Sequence, residues 1–395
     1  MNFRNRKFLE NHIKETLSFY HPSCIDNDLG GYYHQFYDDG LIDDRFTKHL
    51  VGTCRYIYIY SISYIIFKNN DYKIAAEQGL NFLRKSHQQS DGGFAWVLNG
   101  SKILDDTRYC YGHAFVLLAA SVSAKAQING AKEFISEIYE ILENNFWDKE
   151  SNLYVDEMEK NWENISNYRG QNSNMHMCEA MLSAYEATMD TKYLYRANTL
   201  AERICLDLTK DTNGLIWEHY DKEWKPDWEY NKNDPQHMFK PYGYNLGHSI
   251  EWAKLLLILD RYYSKPWMLT SSENLFNLAI KKSWDEVNGG MHYTLYPDGK
   301  VLDKDRYYWV LAETFAASSL LALKTKNSSY WNLYDKVWEY SYKYFVDHEN
   351  GGWYRILDSN NNKYSNLKSQ PSKTDYHPIG ACYETIEAMN FYRYK

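Results

Sequence analysis

The chain has 395 residues and a formal net charge of −8 at pH 7. This length suits a large globular protein built as one barrel or as two smaller domains. An acidic balance without a run of lysine and arginine residues provides no electrostatic footprint for nucleic acid or for an anionic membrane surface. We therefore expect a small neutral or polar substrate.

The first twenty residues, MNFRNRKFLENHIKETLSFY, join basic residues to a mixed amphipathic stretch. They lack the apolar core and the small-residue cleavage site of a signal peptide. No later segment approaches a transmembrane run of about 18 apolar residues. We therefore expect a cytoplasmic protein that has no membrane partner.

The cysteines are scattered along the chain without CxxC spacing. This distribution argues against a disulfide framework and against a thiolate metal site, and it favours buried free thiols. The six cysteines are Cys24, Cys54, Cys110, Cys178, Cys205 and Cys382.

A short pattern recurs six times along the chain. Each copy has an acidic or Asn/Gly turn, a few aromatic and β-branched residues and a second polar turn, which predicts a short hairpin. The copies are DNDLGGYYHQFYDDG from Asp26, SDGGFAWVLNG from Ser90, KESNLYVDEMEKNW from Lys149, DTNGLIWEHYDKEW from Asp211, EVNGGMHYTLYPDG from Glu286 and HENGGWYRILDSNNN from His348. They recur every 60 to 62 residues, except for a gap of 76 residues between Asn213 and Gly289.

The segments between the hairpins have helical periodicity and are long enough for two helices and their connection. Examples are FVLLAASVSAKA from Phe115 and SIEWAKLLLILDRYY from Ser249. Six helix pairs cannot each bury their apolar faces alone, so they must stack as an open solenoid or as a closed double ring. We expect the closed form, an all-α (α/α)6 barrel of six helix pairs with short β-hairpins at one end. Residues 1–395 would form this single catalytic domain.

At an equivalent position, or phase, each repeat carries a charged or histidine side chain that could take part in catalysis. Each stands 21 to 35 residues after the first turn of the preceding hairpin, at or near the start of the second helical segment. They are Arg55, His113, His176, His248, Glu313 and His377. A closed six-fold ring would bring residues of equal phase to one end of one cavity, whereas an open solenoid would spread them along a concave face. This shared phase is the main reason to expect closure.

Two of these histidines have a carboxylate three residues later on the same predicted helix. Glu251 follows His248 and Glu179 follows His176, so each carboxylate can orient its imidazole. His113 is interpreted as intermediate between the functional and the structural histidines. The other histidines lack the shared placement, and we expect structural or solvated side chains at His12, His21, His34, His49, His87, His219, His237, His292 and His348.

His377 stands at a predicted helix start. Thr374 and Asp375 are expected as helix caps, with Pro378 at the first helical position. A helix N-terminus disfavours the imidazolium ion, so this histidine is expected in the neutral form that a general base requires.

Three neutral imidazoles from separate elements are also a ligand set for zinc. The chain has no HExxH pair, and Arg55 and Lys240 would add positive charge beside a cation, so we expect no metal. The sequence contains neither GxGxxG at a strand-to-helix junction nor a P-loop, and therefore gives no support for nucleotide-dependent chemistry. We expect no cofactor.

Three segments, NMHMCEAMLSAYEAT, GHSIEWAKLLL and KTDYHPIGACYE, resemble the N-acylglucosamine 2-epimerase superfamily, and the likeness runs from about Arg55 to Glu384. Members of this superfamily have the (α/α)6 barrel and include sugar 2-epimerases and aldose–ketose isomerases of mannose or sulfoquinovose. The TDYHP form around His377 is similar to the isomerase branch. The resemblance therefore implies interconversion of D-mannose, or a related aldose, and D-fructose.

The same resemblance implies roles for individual residues. His377 would move a proton between C2 and C1 of an acyclic aldose through a cis-enediol, and His248, supported by Glu251, would assist ring opening and exchange protons with the sugar oxygens. Abstraction of a proton next to a carbonyl requires a base with a pKa near the working pH and a donor for the oxyanion, which agrees with this scheme. The implied substrate-binding residues are Arg55, Tyr111, Asn172, His176, Trp309 and Glu313.

Several alternatives stay open at this point. A sugar 2-epimerase of the N-acylglucosamine or cellobiose type would use His248 and His377 on opposite faces of C2. A glycoside hydrolase would need two carboxylates across a cleft, and a non-catalytic sugar-binding protein would need only the aromatic hairpins. Both are weaker because the shared phase is rich in histidine. The carboxylates available for hydrolysis are Asp105, Asp106, Glu251 and Glu313.

The long fourth spacing adds about 15 residues around WKPDWEYNKNDPQHMFKPYGYN. This segment is interpreted as a lid or a substrate-selecting loop. Lys240 within it could meet a sulfonate, which leaves sulfoquinovose open, although an ordinary charged loop residue is the simpler interpretation. Whether the chain is a monomer or a homo-oligomer is undetermined by the sequence.

Overall fold

The computed structural model describes residues 1–393, and within that range the chain forms twelve α-helices. The odd-numbered helices are Arg6–Ser18 (α1), Asn70–Phe82 (α3), Ala131–Ile141 (α5), Thr191–Glu202 (α7), Pro266–Ser283 (α9) and Ser328–Tyr344 (α11). The even-numbered helices are Leu50–Phe67 (α2), Cys110–Lys125 (α4), Gln171–Thr188 (α6), Leu246–Tyr262 (α8), Tyr308–Thr325 (α10) and Tyr376–Arg393 (α12).

The even-numbered helices form a closed inner ring. Each contacts the next, from α2 through α4, α6, α8 and α10 to α12, and α12 contacts α2 again. An odd-numbered helix packs outside each of them, and α1 completes the sixth pair by packing on α12. The predicted (α/α)6 barrel, including its closure, is confirmed.

The residue patterns of the two rings differ because their surroundings differ. The inner helix α2 reads LVGTCRYIYIYSISYIIF and is buried around most of its circumference, as a helix covered on all sides must be. The outer helix α5 buries Ala131, Phe134, Ile135 and Ile138, one stripe with helical spacing, and turns its charged residues to solvent.

Helix α2 also meets the length and hydropathy of a membrane span, the one helix to do so among residues 1–393. The expectation that no segment approaches such a run is therefore wrong for this helix. Within the barrel 78% of it is buried, which accounts for its apolar composition.

Short strands fill the connections from each outer helix to the following inner helix. Because all of these connections lie at the same end of an alternating double ring, the strands lie at one end of the barrel, as predicted. The strands are Gln35–Tyr37 (β1), Ile42–Asp44 (β2), Thr47–His49 (β3), Val97–Asn99 (β4), Lys102–Asp105 (β5), Arg108–Tyr109 (β6), Trp147–Asp148 (β7), Leu153–Tyr154 (β8), Glu157–Met158 (β9), Arg169–Gly170 (β10), His219–Tyr220 (β11), Tyr244–Asn245 (β12), Thr294–Leu295 (β13), Val301–Asp303 (β14), Arg306–Tyr307 (β15), Ile356–Leu357 (β16) and Leu367–Ser369 (β17). They pair in small antiparallel sheets ordered β17-β1-β2, β3-β4-β5, β12-β13-β14, β6-β9, β7-β8, β10-β11 and β15-β16.

The predicted hairpin turns are confirmed in five repeats, where antiparallel bridges enclose the turn. These bridges join Ile25 to Tyr32, Gln88 to Phe94, Trp147 to Tyr154, Trp284 to Met291 and Val346 to Trp353. The fourth repeat differs: Leu208–Asp211 forms a 3₁₀ turn, and the antiparallel bridge joins Tyr220 to Pro226 across the second polar turn.

A buried or half-buried ion pair fastens four of these turns to the segment that enters the next inner helix. In each, an aspartate accepts backbone N–H groups within the turn and binds a cation that precedes the helix, by two residues in three of the pairs and by eight in the last. The pairs are Asp26 with Lys48, Asp91 with Arg108, Asp285 with Arg306 and Asp347 with Lys368. The first turns of the inner helices are thereby held in place.

Replacing Lys368 with Met tests the contribution of these pairs. Its Nζ lies 2.5 Å from Oδ2 of Asp347, and both side chains are buried. Loss of the cation leaves a buried carboxylate unpaired, so we expect a loss of about 3–5 kcal/mol in the free energy of unfolding, measured by urea denaturation. The exposed pair of Lys363 with Asp38 provides the control, since Lys363→Met should cost about 1 kcal/mol or less. Equal losses in the two variants would contradict this role.

Candidate active site

A cavity of about 490 Å³ opens between the N-terminal ends of the inner helices. Its size is within the range of small-molecule sites. All the predicted site residues except Glu313 line it: Arg55, Tyr111, Asn172, His176, His248, Glu251, Trp309 and His377. Glu313 lies beneath the wall, in contact with His377. All six inner helices therefore contribute to one site.

The register of the inner helices explains this convergence. The second residue of an inner helix faces the cavity in α4, α6, α10 and α12, and the sixth residue faces it in α2, α6 and α8, because positions i and i+4 share a helix face. The second residues are Tyr111, Asn172, Trp309 and His377, and the sixth residues are Arg55, His176 and Glu251.

His113 is the exception to the predicted convergence, which is wrong for this residue. It is the fourth residue of α4, and its Nδ1 contacts the carbonyl of Tyr109 at 2.7 Å while its Nε2 accepts the N–H of Phe94 at 3.2 Å. The fourth residues of α6 and α8, Asn174 and Ser249, bind hairpin backbone in the same manner. This position of the helix holds the hairpins and does not face the cavity.

His377 is buried and has one ring nitrogen fixed by a carboxylate. Its Nδ1 lies 2.8 Å from Oε1 of Glu313. Burial first, and then the charge of Arg55 nearby, hold the pKa of His377 well below its usual value. A neutral ring with its proton on Nδ1 leaves Nε2 as a lone pair, 3.5 Å from a guanidinium nitrogen of Arg55. This nitrogen can accept a proton from a bound ligand.

The start of α12 differs from the predicted cap. Asp375 has a positive φ of 52°, and its carboxylate accepts hydrogen bonds from Tyr20, Lys373 and the N–H of Trp353. The helix begins at Tyr376, which places Pro378 third and not first. The predicted capping by Thr374 and Asp375 and the predicted position of Pro378 are therefore wrong.

His248 is oriented by a residue that sequence reasoning missed. Its Nδ1 lies 2.9 Å from Oε2 of Glu218, which precedes β11 and also accepts a hydrogen bond from Gln171. Trp252 donates to the carbonyl oxygen of Gln171 at 2.7 Å and thereby fixes the amide. The predicted orientation of His248 by Glu251 is wrong, because the Nδ1 edge of the ring faces Glu218. The single sequence feature that could have indicated Glu218 was the position of this acidic residue directly before His219.

Trp309 packs beside both of these histidines. Its ring centroid lies 5.1 Å from that of His248 and 5.5 Å from that of His377. Gly247 allows this approach, since a Cβ at this position would lie 2.5 Å from the indole. The glycine of the GHSIEW segment is thus required for the indole to pack against the start of α8.

Arg55 supplies positive charge at the cavity wall. Its guanidinium lies between the rings of Phe115 and Tyr376, 4.7 and 4.9 Å from their centroids. It donates to the carbonyl of Ser372 at 2.7 Å and to the hydroxyl of Tyr111 at 3.3 Å. No carboxylate among residues 1–393 forms an ion pair with it, so it is available to an anionic oxygen of a ligand.

The predicted pair of His176 with Glu179 is confirmed. Nδ1 of His176 lies 3.0 Å from Oε2 of Glu179, and the hydroxyl of Tyr376 donates to the other oxygen at 2.6 Å. Burial lowers the pKa of His176. The second nitrogen of a neutral His176 is therefore left for a ligand.

Glu251 reaches the floor of the cavity without a hydrogen-bond partner for either oxygen among the described residues. Burial and the neighbouring Glu313 raise its pKa well above the usual value, which favours the protonated form. A buried carboxylic acid that is not ionised can donate a hydrogen bond to a ligand oxygen.

Two groups at this floor have potential metal-ligand atoms within 4.8 Å of one another: His176, Glu179 and Glu251, and Glu251, Glu313 and His377. Each contains one histidine, so the alternative of a zinc site made of three imidazoles does not match the geometry. The ammonium of Lys254 lies 2.5 Å from Glu313 and 3.9 Å from Glu251, and a dication would meet this fixed positive charge.

The long fourth connection forms one wall of the cavity, through Gln236, His237, Met238, Phe239 and Pro241. His237 was expected to be structural or solvated. Its Nδ1 does accept the N–H groups of Phe239 and Lys240, but the ring also lines the site. Lys240 faces a smaller side cavity of about 260 Å³, where Glu157 binds it at 3.0 Å.

Sequence reasoning also missed several side chains that line the outer part of the cavity. They come from the hairpins, whose residues carry no helical phase: Tyr293, Asp305, Tyr307, Arg355, Tyr364, Gln370 and Lys373. Tyr293 and Tyr307 stack with centroids 3.6 Å apart. The abundance of tyrosine in the hairpins was the available signal.

Comparison with known proteins shows the family of the chain. Residues 31–381 match the N-acylglucosamine 2-epimerase (GlcNAc 2-epimerase) family. A D-mannose isomerase from Marinomonas mediterranea is 47% identical over 388 residues, 98% of each chain. The crystal structure of a D-mannose isomerase superposes with a TM-score of 0.96 at 47% identity over 98% of this chain and 99% of the other. A cellobiose 2-epimerase from Bacillus thermoamylovorans B4167 shares the fold, with a TM-score of 0.86 at 21% identity over 97% and 100% of the chains.

The buried histidines predict a loss of stability in acid, which His113→Gln tests. Burial lowers the pKa of His113 to about 4, below the value of about 6.5 for an unfolded chain. The stability it contributes is complete above pH 6.5 and is lost as the pH falls toward 4, because the unfolded state binds the additional proton. Urea denaturation between pH 6 and 4.5 should show a slope about 1.4 kcal/mol per pH unit smaller in the variant. Parallel profiles would contradict this assignment.

Proposed function

Because the chain belongs to the N-acylglucosamine 2-epimerase family, we propose that it is an aldose–ketose isomerase that interconverts D-mannose and D-fructose without a cofactor. The observation that carries this proposal is the pair His377 and His248. Each has its Nδ1 on a carboxylate, and both rings line one cavity. An imidazole that contacts a carboxylate through Nδ1 and reaches the cavity can serve as a general acid or base.

The first proposed step is the removal of a proton from carbon. Nε2 of His377 takes the C2 proton of acyclic D-mannose, and the electron pair of the broken C–H bond forms the C1–C2 double bond of a cis-enediol. The same nitrogen then returns the proton to C1, and the C2 hydroxyl becomes the ketone of D-fructose. A single base on one face of the sugar is sufficient for this transfer.

In the same reaction a proton must also move between the O1 and O2 oxygens of the sugar. We propose that His248 moves a proton between O2 and O1 and assists ring opening, together with the protonated carboxyl of Glu251. Arg55 would stabilise the negative charge that develops on the enediolate, since a guanidinium without a carboxylate partner faces the site. Tyr111, Asn172 and His176 would bind the hydroxyl groups, with Trp309 against the carbon backbone of the sugar.

The site favours this reaction over the hydrolase alternative. Hydrolysis needs two carboxylates across a cleft. Of the four candidate carboxylates Glu251 lines the cavity, whereas Asp105 and Asp106 do not and Glu313 is buried against His377. The other acidic side chain of the cavity, Asp305, lies in its outer part and accepts a hydrogen bond from Tyr364. Epimerisation at C2 stays the second candidate, because His248 could return the proton from the opposite face. The likeness of nearly the whole chain to a D-mannose isomerase supports isomerisation.

We further propose that residues 1–395 act as one catalytic domain, since all six inner helices contribute to the cavity. The six cysteines are buried and free, as expected, which supports a reducing compartment such as the cytoplasm. A neutral monosaccharide is the proposed partner.

The reaction is tested by an NMR time course of the EDTA-treated protein with D-mannose in D2O. We expect D-fructose to appear, with deuterium at C1 in proportion to exchange of the proton held by His377. D-glucose as the single product would favour the epimerase alternative. An unchanged spectrum with D-mannose, sulfoquinovose, N-acetylmannosamine and cellobiose would contradict the proposal.

The same assay assigns the base. His377→Asn and His248→Asn should each lower kcat by about 10²- to 10⁴-fold, the contribution of a positioned acid or base. His348→Asn is the matched control, because this histidine is exposed and does not line the cavity. Turnover like that of the wild type in both site variants would overturn the assignment.

A further inference from the structure

A buried lysine lies directly beneath the proposed base. Lys254, on α8, is 4% exposed, and its Nζ lies 2.5 Å from Oε2 of Glu313, whose other oxygen lies 2.8 Å from Nδ1 of His377. The ammonium does not line the sugar cavity. A continuous series of contacts therefore runs from Lys254 through Glu313 to His377.

We propose that Lys254 is a positioning residue that keeps Glu313 ionised and thereby holds His377 with its proton on Nδ1 and a free Nε2 toward the sugar. This inference rests on the proposed function, in which His377 takes the C2 proton. It assigns to Lys254 a part in the reaction without contact with the substrate.

The charge balance of the cluster supports this role. Glu179, Glu251 and Glu313 face two cations, Lys254 and Arg55. With Glu251 protonated, two carboxylates balance two cations. Removal of Lys254 leaves an excess negative charge in a buried region, and protonation of a second carboxyl relieves it.

Protonation of Glu313 would disable the base. A neutral carboxyl donates its proton to Nδ1 of His377, and the ring then carries its proton on Nε2. A nitrogen that already bears a proton cannot accept the one on C2. The tautomer of His377 thus depends on the charge of Glu313, and that charge depends on Lys254.

Other charged and titratable groups surround Lys254 and also act on its charge. They are Tyr58 on α2, Lys125 on α4, Glu179 and Glu186 on α6, Glu251 on α8, Glu313 on α10 and Tyr376, His377 and Glu384 on α12. The acidic neighbours raise the pKa of Lys254 despite its burial, so it stays charged, and its charge lowers the pKa of His377.

Lys125 offers a matched control within the same pocket. It is also largely buried, and its Nζ pairs with Glu186 at 2.5 Å. Among the residues described it forms no ion pair with Glu313. Lys125→Met therefore removes the same charge from the same interior without touching the series of contacts to His377.

The experiment compares kcat against pH for the wild type, Lys254→Met and Lys125→Met with D-mannose. Loss of Lys254 removes a positive charge beside Glu313 and His377, so this pair takes up a proton more readily and the unprotonated Nε2 is lost as the pH falls. We expect the acid limb of the Lys254→Met profile to move up by about one pH unit or more, with KM little changed. The Lys125→Met limb should stay in place. An unmoved limb in Lys254→Met, or equal shifts in both variants, would overturn the proposal.

A second measurement reports the tautomer of His377 without turnover. ¹⁵N spectra of histidine-labelled wild-type protein, with His377 assigned from the His377→Asn variant, report which ring nitrogen carries the proton. In the wild type we expect the proton on Nδ1 at pH 7. As the pH is lowered, the proton should move to Nε2 at a higher pH in the folded Lys254→Met protein than in the wild type. A wild-type proton on Nε2 would overturn the proposal. Absence of isomerase activity with the expected tautomers would instead contradict the proposed function alone.

Discussion

A closed ring of six buried helices turns the second and sixth residues of its members toward one axis. The catalytic arrangement depends on this constraint, because side chains from α2 to α12 can meet only if the ring is closed and the helices start at equal height. The hairpins determine that height. An aspartate in each of four turns binds a cation in the segment that leads into the next inner helix, as Asp26 binds Lys48 two residues before α2.

The interior of the ring then determines the protonation states. Burial holds the pKa of His377 well below its usual value and raises that of Glu251, while the hydrogen bond from His176 and the charge of Lys254 lower the pKa of Glu179. Glu313 and Glu218 each contact Nδ1 of an imidazole that lines the cavity. An unpaired charge would be costly in this buried environment. Within it, two imidazoles with different carboxylate partners share one cavity and can act as bases.

The sequence alone predicted the repeat and the barrel, because hairpin turns and helical periodicity are local patterns, and it placed Arg55, His176, His248 and His377 in the cavity. Tyr111, Asn172 and Trp309 were implied by the family resemblance, and the individual hairpin residues of the cavity were not predicted. The sequence failed where contacts are long-range. Counting from the hairpin markers placed His113 in the site, since hairpin lengths differ and the helix start at Cys110 was not visible; Tyr111 faces the cavity instead. The orientation of His248 was assigned to its neighbour on the same helix, while Glu218 comes from another connection.

The central claim is that Nε2 of His377 faces the reacting carbons of an acyclic sugar. A crystal structure with D-mannitol, an acyclic polyol that cannot react, tests it most directly. The account predicts C1 or C2 within about 3–3.5 Å of Nε2 of His377, the distance of a reactive arrangement, with a hydroxyl on His248. A polyol bound with these carbons away from both histidines would contradict it.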